Sequence, residues 1–93
     1  MVTRKVTIEA PNGMHARPAG ELVKRIREYA PTKITLRSGA KQVNAASILS
    51  ILSLGLKRGA ELEVVADGPR EQEAADEVAR FIAEIREQPG PGF

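Results

Sequence analysis

The chain has 93 residues, 42% of them hydrophobic, and this size fits one compact domain rather than two. It contains no cysteine and a single histidine, which excludes disulfides and argues against a metal site of thiolates or imidazoles. The 14 Lys and Arg against 12 Asp and Glu give a net charge of +2 with both signs interspersed, a balance that argues against a dedicated nucleic-acid binder.

The first third of the chain predicts a strand, a turn and a helix. Apolar residues alternate with polar ones over residues 2–10 and predict a half-buried strand. Pro11-Asn12-Gly13 follows with turn chemistry, since Asn-Gly readily adopts positive φ. Apolar residues from Ala19 to Ala30 recur at helical spacing, and Pro31 ends that helix.

The middle of the chain predicts a β-hairpin and a short helix. Residues 33–37 and 41–45 alternate on either side of a Ser-Gly turn, which indicates two paired strands. The segment Ser47–Leu54 predicts a helix with a serine near its N-cap and with Gly55 as a C-terminal cap.

The last third predicts a fourth strand over residues 60–66 and a final helix from Pro69 to about Arg86. The order β-α-β-β-α-β-α, with one apolar face on each strand, favours an α+β fold in which helices cover one face of an antiparallel sheet. We expect one domain over residues 1–88 and a flexible tail at residues 89–93.

The single histidine, His15, lies just before the first predicted helix, in the stretch Asn-Gly-Met-His-Ala-Arg-Pro-Ala. Local rules put Pro18 at the first helical position and leave Arg17 as the last extended residue, although an earlier start also keeps the proline in the first turn. The start of a helix binds anions through unpaired N–H groups and favours neutral imidazole, which is the nucleophilic form. A single histidine beside such an anion site can accept a group covalently. Without further context, a solvated loop histidine is the simpler interpretation.

Two motifs change that interpretation. The segment Gly13–Ala19, read as GMHARPA, resembles the active-site signature of the HPr family, the histidine phosphocarriers of the bacterial phosphoenolpyruvate-dependent phosphotransferase system. The segment Val43–Gly55, read as VNAASILSILSLG, resembles the serine-containing segment of the same family at a fitting separation. The resemblance covers nearly the whole chain and implies the family's open-faced β-sandwich, a four-stranded antiparallel sheet with three helices on one side.

The resemblance also implies a function for the first motif. His15 would be phosphorylated at Nδ1 by phosphorylated enzyme I and would pass the phosphoryl group to IIA components of sugar permeases. Arg17 would stabilise the phosphoryl charge, while Asn12, Ala16 and Pro18 would support the site. No cofactor or metal is needed, and such a protein is a carrier that depends on its partners rather than a stand-alone enzyme.

The second motif leaves two readings open for Ser47. From residue type alone, Ser47 is an N-cap. The resemblance implies instead a regulatory phosphosite and, as a further partner, a serine kinase or regulator. Ala46 and Ser50 stand where family members under kinase control commonly have a lysine and a glycine, which counts against the regulatory reading. The sequence alone does not decide between the two.

The short helix has more aliphatic residues than one face can bury. We predict that the core takes Ile48, Ile51 and Leu54. By the resemblance, Leu49 and Leu52 would instead be exposed and contact partner proteins, since small exposed apolar patches often mark interfaces.

Other functions remain as alternatives. One is a regulatory interaction protein acting through Ser47 and its helix, and another is a phosphocarrier of the nitrogen-linked branch. An RNA-binding module is disfavoured because Tyr29, Phe81 and Phe93 all lie outside the predicted strands, where bases would stack. We expect a cytoplasmic monomer without nucleic-acid or membrane partners, because neither a signal peptide nor a membrane-spanning segment is visible.

Overall fold

The computed structural model describes residues 1–11 and 13–85. The predicted order of elements is confirmed as β1 (Val2–Thr7), α1 (Ala16–Arg27), β2 (Lys33–Ser38), β3 (Lys41–Asn44), α2 (Ile48–Ser53), β4 (Glu61–Asp67) and α3 (Glu71–Ala83). The predicted domain limit at residue 88 and the tail at 89–93 lie outside the described residues. The last helix ends at Ala83 and not near Arg86 as predicted, since Glu84 is its C-cap. Within the described part of the chain, no helix is long and apolar enough to cross a membrane.

The four strands form one antiparallel sheet in the order β1-β4-β2-β3. The last strand in the chain, β4, therefore lies inside the sheet, between β1 and β2. Val2 of β1 pairs with Ala66 of β4, and Lys33 of β2 pairs with Asp67 of β4.

The sheet has one apolar face, which the helices cover, and one polar face. The period of two along each strand sends alternate side chains to opposite faces. The buried side chains that meet between sheet and helices are Val6, Ile34, Leu36, Leu62, Val64 and Ala66 from the strands and Leu22, Val23, Ile26, Ala74, Ala75, Val78 and Ile82 from α1 and α3. On the open face, Glu63 pairs in register with Lys5 and with Arg37, and its carboxylate lies 2.7 Å from the Arg37 guanidinium. The predicted fold class is confirmed.

The last helix begins later than predicted. Pro69 is not its first residue, because Arg70 is the N-cap and α3 starts at Glu71. Two residues in the left-handed region, Gly68 at φ +140° and Arg70 at φ +60°, turn the chain through this stretch. The Glu71 carboxylate then accepts the N–H of Gly68 at 3.1 Å, and the Pro69 carbonyl accepts the hydroxyl of Thr32. Tertiary contacts therefore hold Pro69 in the turn.

The C-terminal end of α1 is joined to α3 by a polar network around Tyr29. The buried Tyr29 hydroxyl donates to Glu77 Oε1 at 2.5 Å, and Arg25 lies 3.5 Å from the same carboxylate. Arg70 lies over the Tyr29 ring at 4.6 Å from the ring centre. The hydrogen bond to Glu77 and burial both favour the neutral phenol, which raises the pKa of Tyr29 to about 12.

Candidate functional site

The first helix begins two residues earlier than the local rule predicts. His15 is its N-cap in extended conformation (φ −111°, ψ −173°), and the His15 carbonyl accepts the N–H of Ala19 at 3.0 Å. Arg17 is therefore the second helical residue and not the last extended one. Pro18 occupies the third position, where an N–H would have no intrahelical acceptor, so the proline costs no hydrogen bond there.

This start gives the region after His15 a positive character. His15 is half-buried, whereas Ala16 and Arg17 are exposed and Pro18 is buried. In the first turn of α1, which carries no acidic residue, the N–H groups of Ala16 and Arg17 have no acceptor within the helix. An anion on the imidazole of His15 would lie near the positive end of the helix dipole. Arg17, two residues further along the chain, would add the charge of its guanidinium.

The loop before His15 packs on a second loop, between α2 and β4. Gly13 has φ +68° and donates its N–H to the Ala10 carbonyl at 2.9 Å. Met14 donates its N–H to the Leu56 carbonyl at 2.9 Å, and both side chains are buried. The sequence analysis missed Leu56 because no local pattern reports a contact between residues so far apart. The predicted site residue Asn12 lies outside the described residues.

Ser47 is the N-cap of α2, as its residue type predicts. Its hydroxyl oxygen accepts the N–H of Ser50 at 3.3 Å, and the residue itself is half-buried. At the other end, Gly55 follows the last turn with φ +62°, the left-handed conformation typical of a residue just after a helix. The regulatory reading of Ser47 stays a prediction.

The two predicted partner contacts of α2 differ in exposure. Leu49 exposes 79% of its surface, whereas Leu52 is partly buried and packs against the core. Ile51 and Leu54 are buried, as predicted. Leu49 is therefore the more accessible of the two for a partner protein.

The prediction of a core position for Ile48 is wrong, since 40% of this residue is exposed. Its Cδ1 lies 3.9 Å from the position that a β-carbon would take at Gly20 of α1. A glycine offers no side chain to enclose the neighbour, so Ile48 is covered on only part of its surface. Ile48 therefore lies beside Gly20, which is one helical turn after Ala16 in α1.

The described ranges 1–11 and 13–85 contain no group of three or more His, Cys, Asp and Glu that could hold a metal ion.

The chain is similar to known phosphocarriers over most of its length. Residues 2–84 match the family model described as PTS HPr component phosphorylation site. Phosphocarrier protein HPr of Borreliella burgdorferi is 38% identical over 94% of this chain and 100% of the relative. The crystal structure of an HPr from Bacillus anthracis superposes with a TM-score of 0.82 at 30% identity, covering 87% of this chain and 95% of that one. Bacillus subtilis Crh, solved as a swapped dimer, gives a TM-score of 0.73 at 34% identity, with coverage of 95% and 100%.

Proposed function

Because the chain belongs to the HPr family of the phosphotransferase system, we propose that His15 accepts a phosphoryl group from phosphorylated enzyme I and passes it to IIA domains of sugar permeases. The observation that carries this proposal is the position of His15 as N-cap of α1, directly before Arg17 and before N–H groups that have no acceptor within the helix. The sequence motif and the local geometry thus support the same residue.

In the proposed reaction, His15 Nδ1 attacks the phosphorus atom of the donor. A phosphorus–nitrogen bond forms while the bond from phosphorus to the donor breaks, and the reverse exchange with the IIA acceptor restores the imidazole. The phosphoryl oxygens would accept hydrogen bonds from the N–H groups of Ala16 and Arg17, and the Arg17 guanidinium would offset their charge.

This set of groups suits a carrier better than a catalyst. Two amides and an arginine in a solvated position bind a phosphoryl group less tightly than a metal centre would, so the group can be handed on. In this proposal Ala16 contributes an N–H, and buried Pro18 fixes the backbone of the first turn. The supporting role of Asn12, which lies outside the described residues, stays a prediction. The protein turns over only with its partner phosphotransferases, so we do not class it as a stand-alone enzyme.

We place the docking of enzyme I and IIA domains on the apolar surface of α2. Leu49 is its most exposed member, with Ile48 and Leu52 partly exposed beside it. Ile48 lies beside Gly20 of α1, the helix that His15 caps, so we expect one partner surface to contact α2 and reach His15 together. Apolar residues at the centre of a contact carry much of its affinity.

The test is phosphorylation with purified enzyme I and phosphoenolpyruvate. Wild-type protein should gain one acid-labile phosphoryl group by intact mass, and His15→Ala should gain none. An HPr known to be a substrate serves as the positive control. If that control is phosphorylated and the wild-type chain is not, the proposal is wrong. Offering IIA domains of the sugar and the nitrogen-linked branches then decides between those branches.

A second candidate function is regulation through Ser47. It is favoured by the similarity to Crh and by the exposed apolar side chains on the helix that Ser47 caps. Under this proposal, Ser47→Asp or Leu49→Asp would change binding to a transcriptional regulator while phosphotransfer at His15 is retained. Unchanged binding in both variants would rule it out.

A cytoplasmic monomer belongs to the same proposal. In the single chain, β1 completes its own sheet by pairing with β4 along its whole length, and Arg4 of β1 lies 2.7 Å from Asp76 of α3. The single chain can thus close as a monomer, whereas a swapped dimer, the state in which the relative Crh was solved, would form the same kind of contacts between two chains. Sedimentation equilibrium over a range of protein concentrations distinguishes the two states.

A further inference from the structure

We propose that the loop Gly55–Gly59 between α2 and β4 positions His15 for phosphoryl transfer, through a backbone contact between Gly13 and Leu56. This inference rests on the proposed function and deepens it, since it assigns a positioning role to Leu56, which lies outside both motifs, and to its contact with Gly13. Neither Gly13 nor Leu56 would touch the phosphoryl group, so both act through His15.

The first observation is that Gly13 leaves no room for a side chain. A β-carbon built there would overlap the carbonyl oxygen of Leu56 and would lie 2.9 Å from the α-carbon of Lys57. Both obstacles are backbone atoms, which cannot swing aside as the end of a flexible side chain can. Gly13 is therefore required by a close approach of two chain segments as well as by its positive φ.

The second observation is that the same Leu56 carbonyl accepts the N–H of Met14 at 2.9 Å. Met14 directly precedes His15, whose own carbonyl accepts the N–H of Ala19 at 3.0 Å. The backbone on both sides of His15 is thus hydrogen-bonded. Met14 before it is bonded to Leu56, and the carbonyl of His15 is bonded to Ala19 of α1. Met14 and Leu56 each expose only 5% of their surface, so their side chains are packed as well.

The third observation is that the C-terminal end of the loop is hydrogen-bonded to Ile8, the residue directly after β1. Gly59 donates its N–H to the Ile8 carbonyl at 2.7 Å, and Ile8 donates its N–H to the Ala60 carbonyl at 2.8 Å. Together with the contact at Gly13, these bonds tie both ends of the stretch from Ile8 to Met14 to the same loop. The loop provides a fixed support on which the imidazole is carried.

Positioning of this kind matters because transfer needs the attacking nitrogen in line with phosphorus, and a displacement of about 1 Å costs on the order of 100-fold in rate. A side chain at Gly13 would separate the two backbones and shift Met14 and His15 with them. The apolar surface around Leu49 is on α2 and would keep its place. We therefore expect a loss in kcat for phosphorylation by enzyme I without a matching rise in KM.

The main test compares Gly13→Ala with Gly39→Ala. Both glycines are in the left-handed region, at φ +68° and +59°, but no atom of the described residues lies within 4 Å of a β-carbon at Gly39. The two variants share the backbone strain, and only the first has the overlap with Leu56. We expect kcat to fall at least about tenfold in Gly13→Ala, with KM within about twofold, and both constants to stay within about twofold in Gly39→Ala.

A second pair covers the case in which Gly13→Ala does not fold. Leu56→Ala and Leu54→Ala truncate leucines that are 5% and 8% exposed, so their losses of stability should be similar. Only Leu56 carries the carbonyl bonded to Met14. We expect kcat to fall roughly threefold or more in Leu56→Ala alone, together with a shift of the Met14 amide resonance.

Three results would contradict the positioning role of the loop. Wild-type kcat in a folded Gly13→Ala protein, or equal losses within both pairs, would overturn the positioning role. A rise in KM with unchanged kcat would also overturn it, since that would indicate docking rather than positioning. If wild-type protein itself accepts no phosphoryl group, the proposed function has failed, and that result is distinct from a failure of the inference.

Discussion

The hydrogen bond between Tyr29 and Glu77 leads to a prediction that can be measured without any label. Tyr29 is the only tyrosine, and the chain has no tryptophan, so near-ultraviolet absorbance reports its ionisation directly. Its hydroxyl donates to Glu77 at 2.5 Å, and the pKa of Tyr29 is raised from 10.0 to about 12. We expect the phenol to titrate near pH 12 in folded protein and near pH 10 in denaturant.

The raised pKa of Tyr29 also gives an upper limit for what the hydrogen bond to Glu77 contributes to the free energy of unfolding. Two pKa units correspond to at most about 2.7 kcal/mol at 1.36 kcal/mol per unit, and solvent screening at Glu77, whose side chain is 34% exposed, lowers that value. Between pH 10 and 12 the folded phenol keeps a proton that the unfolded chain has lost. The contribution is therefore complete below pH 10 and is lost as the pH rises toward 12, with about 1.4 kcal/mol gone at pH 11.

The assay is urea unfolding of wild-type protein and Tyr29→Phe at pH 8 and pH 11. Phenylalanine keeps the ring under Arg70 but removes the hydroxyl, so wild-type protein should be the more stable at pH 8. Because the other groups titrate in both proteins alike, the difference between the free energies of unfolding of wild-type protein and Tyr29→Phe should narrow by up to about 1.4 kcal/mol at pH 11. Glu77→Gln, which keeps an acceptor without the charge, should lower the pKa of Tyr29 below 12. A folded-state midpoint near pH 10, or a difference that does not change with pH, would refute the reasoning.

Three further predictions concern stability and are measured by urea unfolding at neutral pH. Ile51→Ala should lower the free energy of unfolding by about 2–4 kcal/mol, because the side chain is fully buried. Leu49→Ala, at an exposed position, should lower it by less than about 0.5 kcal/mol, and equal losses in the two variants would contradict this difference in burial. Ser47→Ala should cost about 0.5–1 kcal/mol through loss of the N-cap hydrogen bond, and an unchanged midpoint would show that this bond contributes nothing. Gly68→Ala should cost more than about 2 kcal/mol, since its β-carbon would lie 2.9 Å from the α-carbon of Thr32 in addition to the strain at φ +140°, and a cost below about 1 kcal/mol would argue against that close approach.

Local sequence signals were sufficient for the order of the elements and for the fold class. Alternation and helical spacing identify β1, β2, β4, α1 and α3, because each of these has one clear apolar face. The turn after β2 identifies β3, and the capping residues Ser47 and Gly55 identify α2. The candidate site around His15 is local as well, since the turn before it and the proline after it bracket the histidine within one short segment, and the resemblance of that segment to the HPr signature singles the histidine out.

The errors arise where a contact distant in sequence decides between local alternatives. Pro18 fits anywhere in the first turn, so local rules leave the start of α1 open, and Met14, two residues before α1, is bonded to Leu56 in a contact that no local rule contains. Ile48 was assigned to the core because the pattern of α2 gives no information about its neighbour, and that neighbour is Gly20. In both cases the missing information was the identity of the residue on the other segment.

The central place of β4 in the sheet has a consequence for biosynthesis. Among the described residues, β1 pairs with β4 alone, and β4 is the last of the described strands to leave the ribosome, so Val2 has to wait for Ala66 before it can pair. Closing such a long loop is entropically costly and slows folding. Leu56, which supports the backbone next to His15, also emerges late. A nascent chain that ends before β4 would therefore display the histidine on an unorganised segment, and the ability to carry a phosphoryl group would be acquired together with the complete sheet.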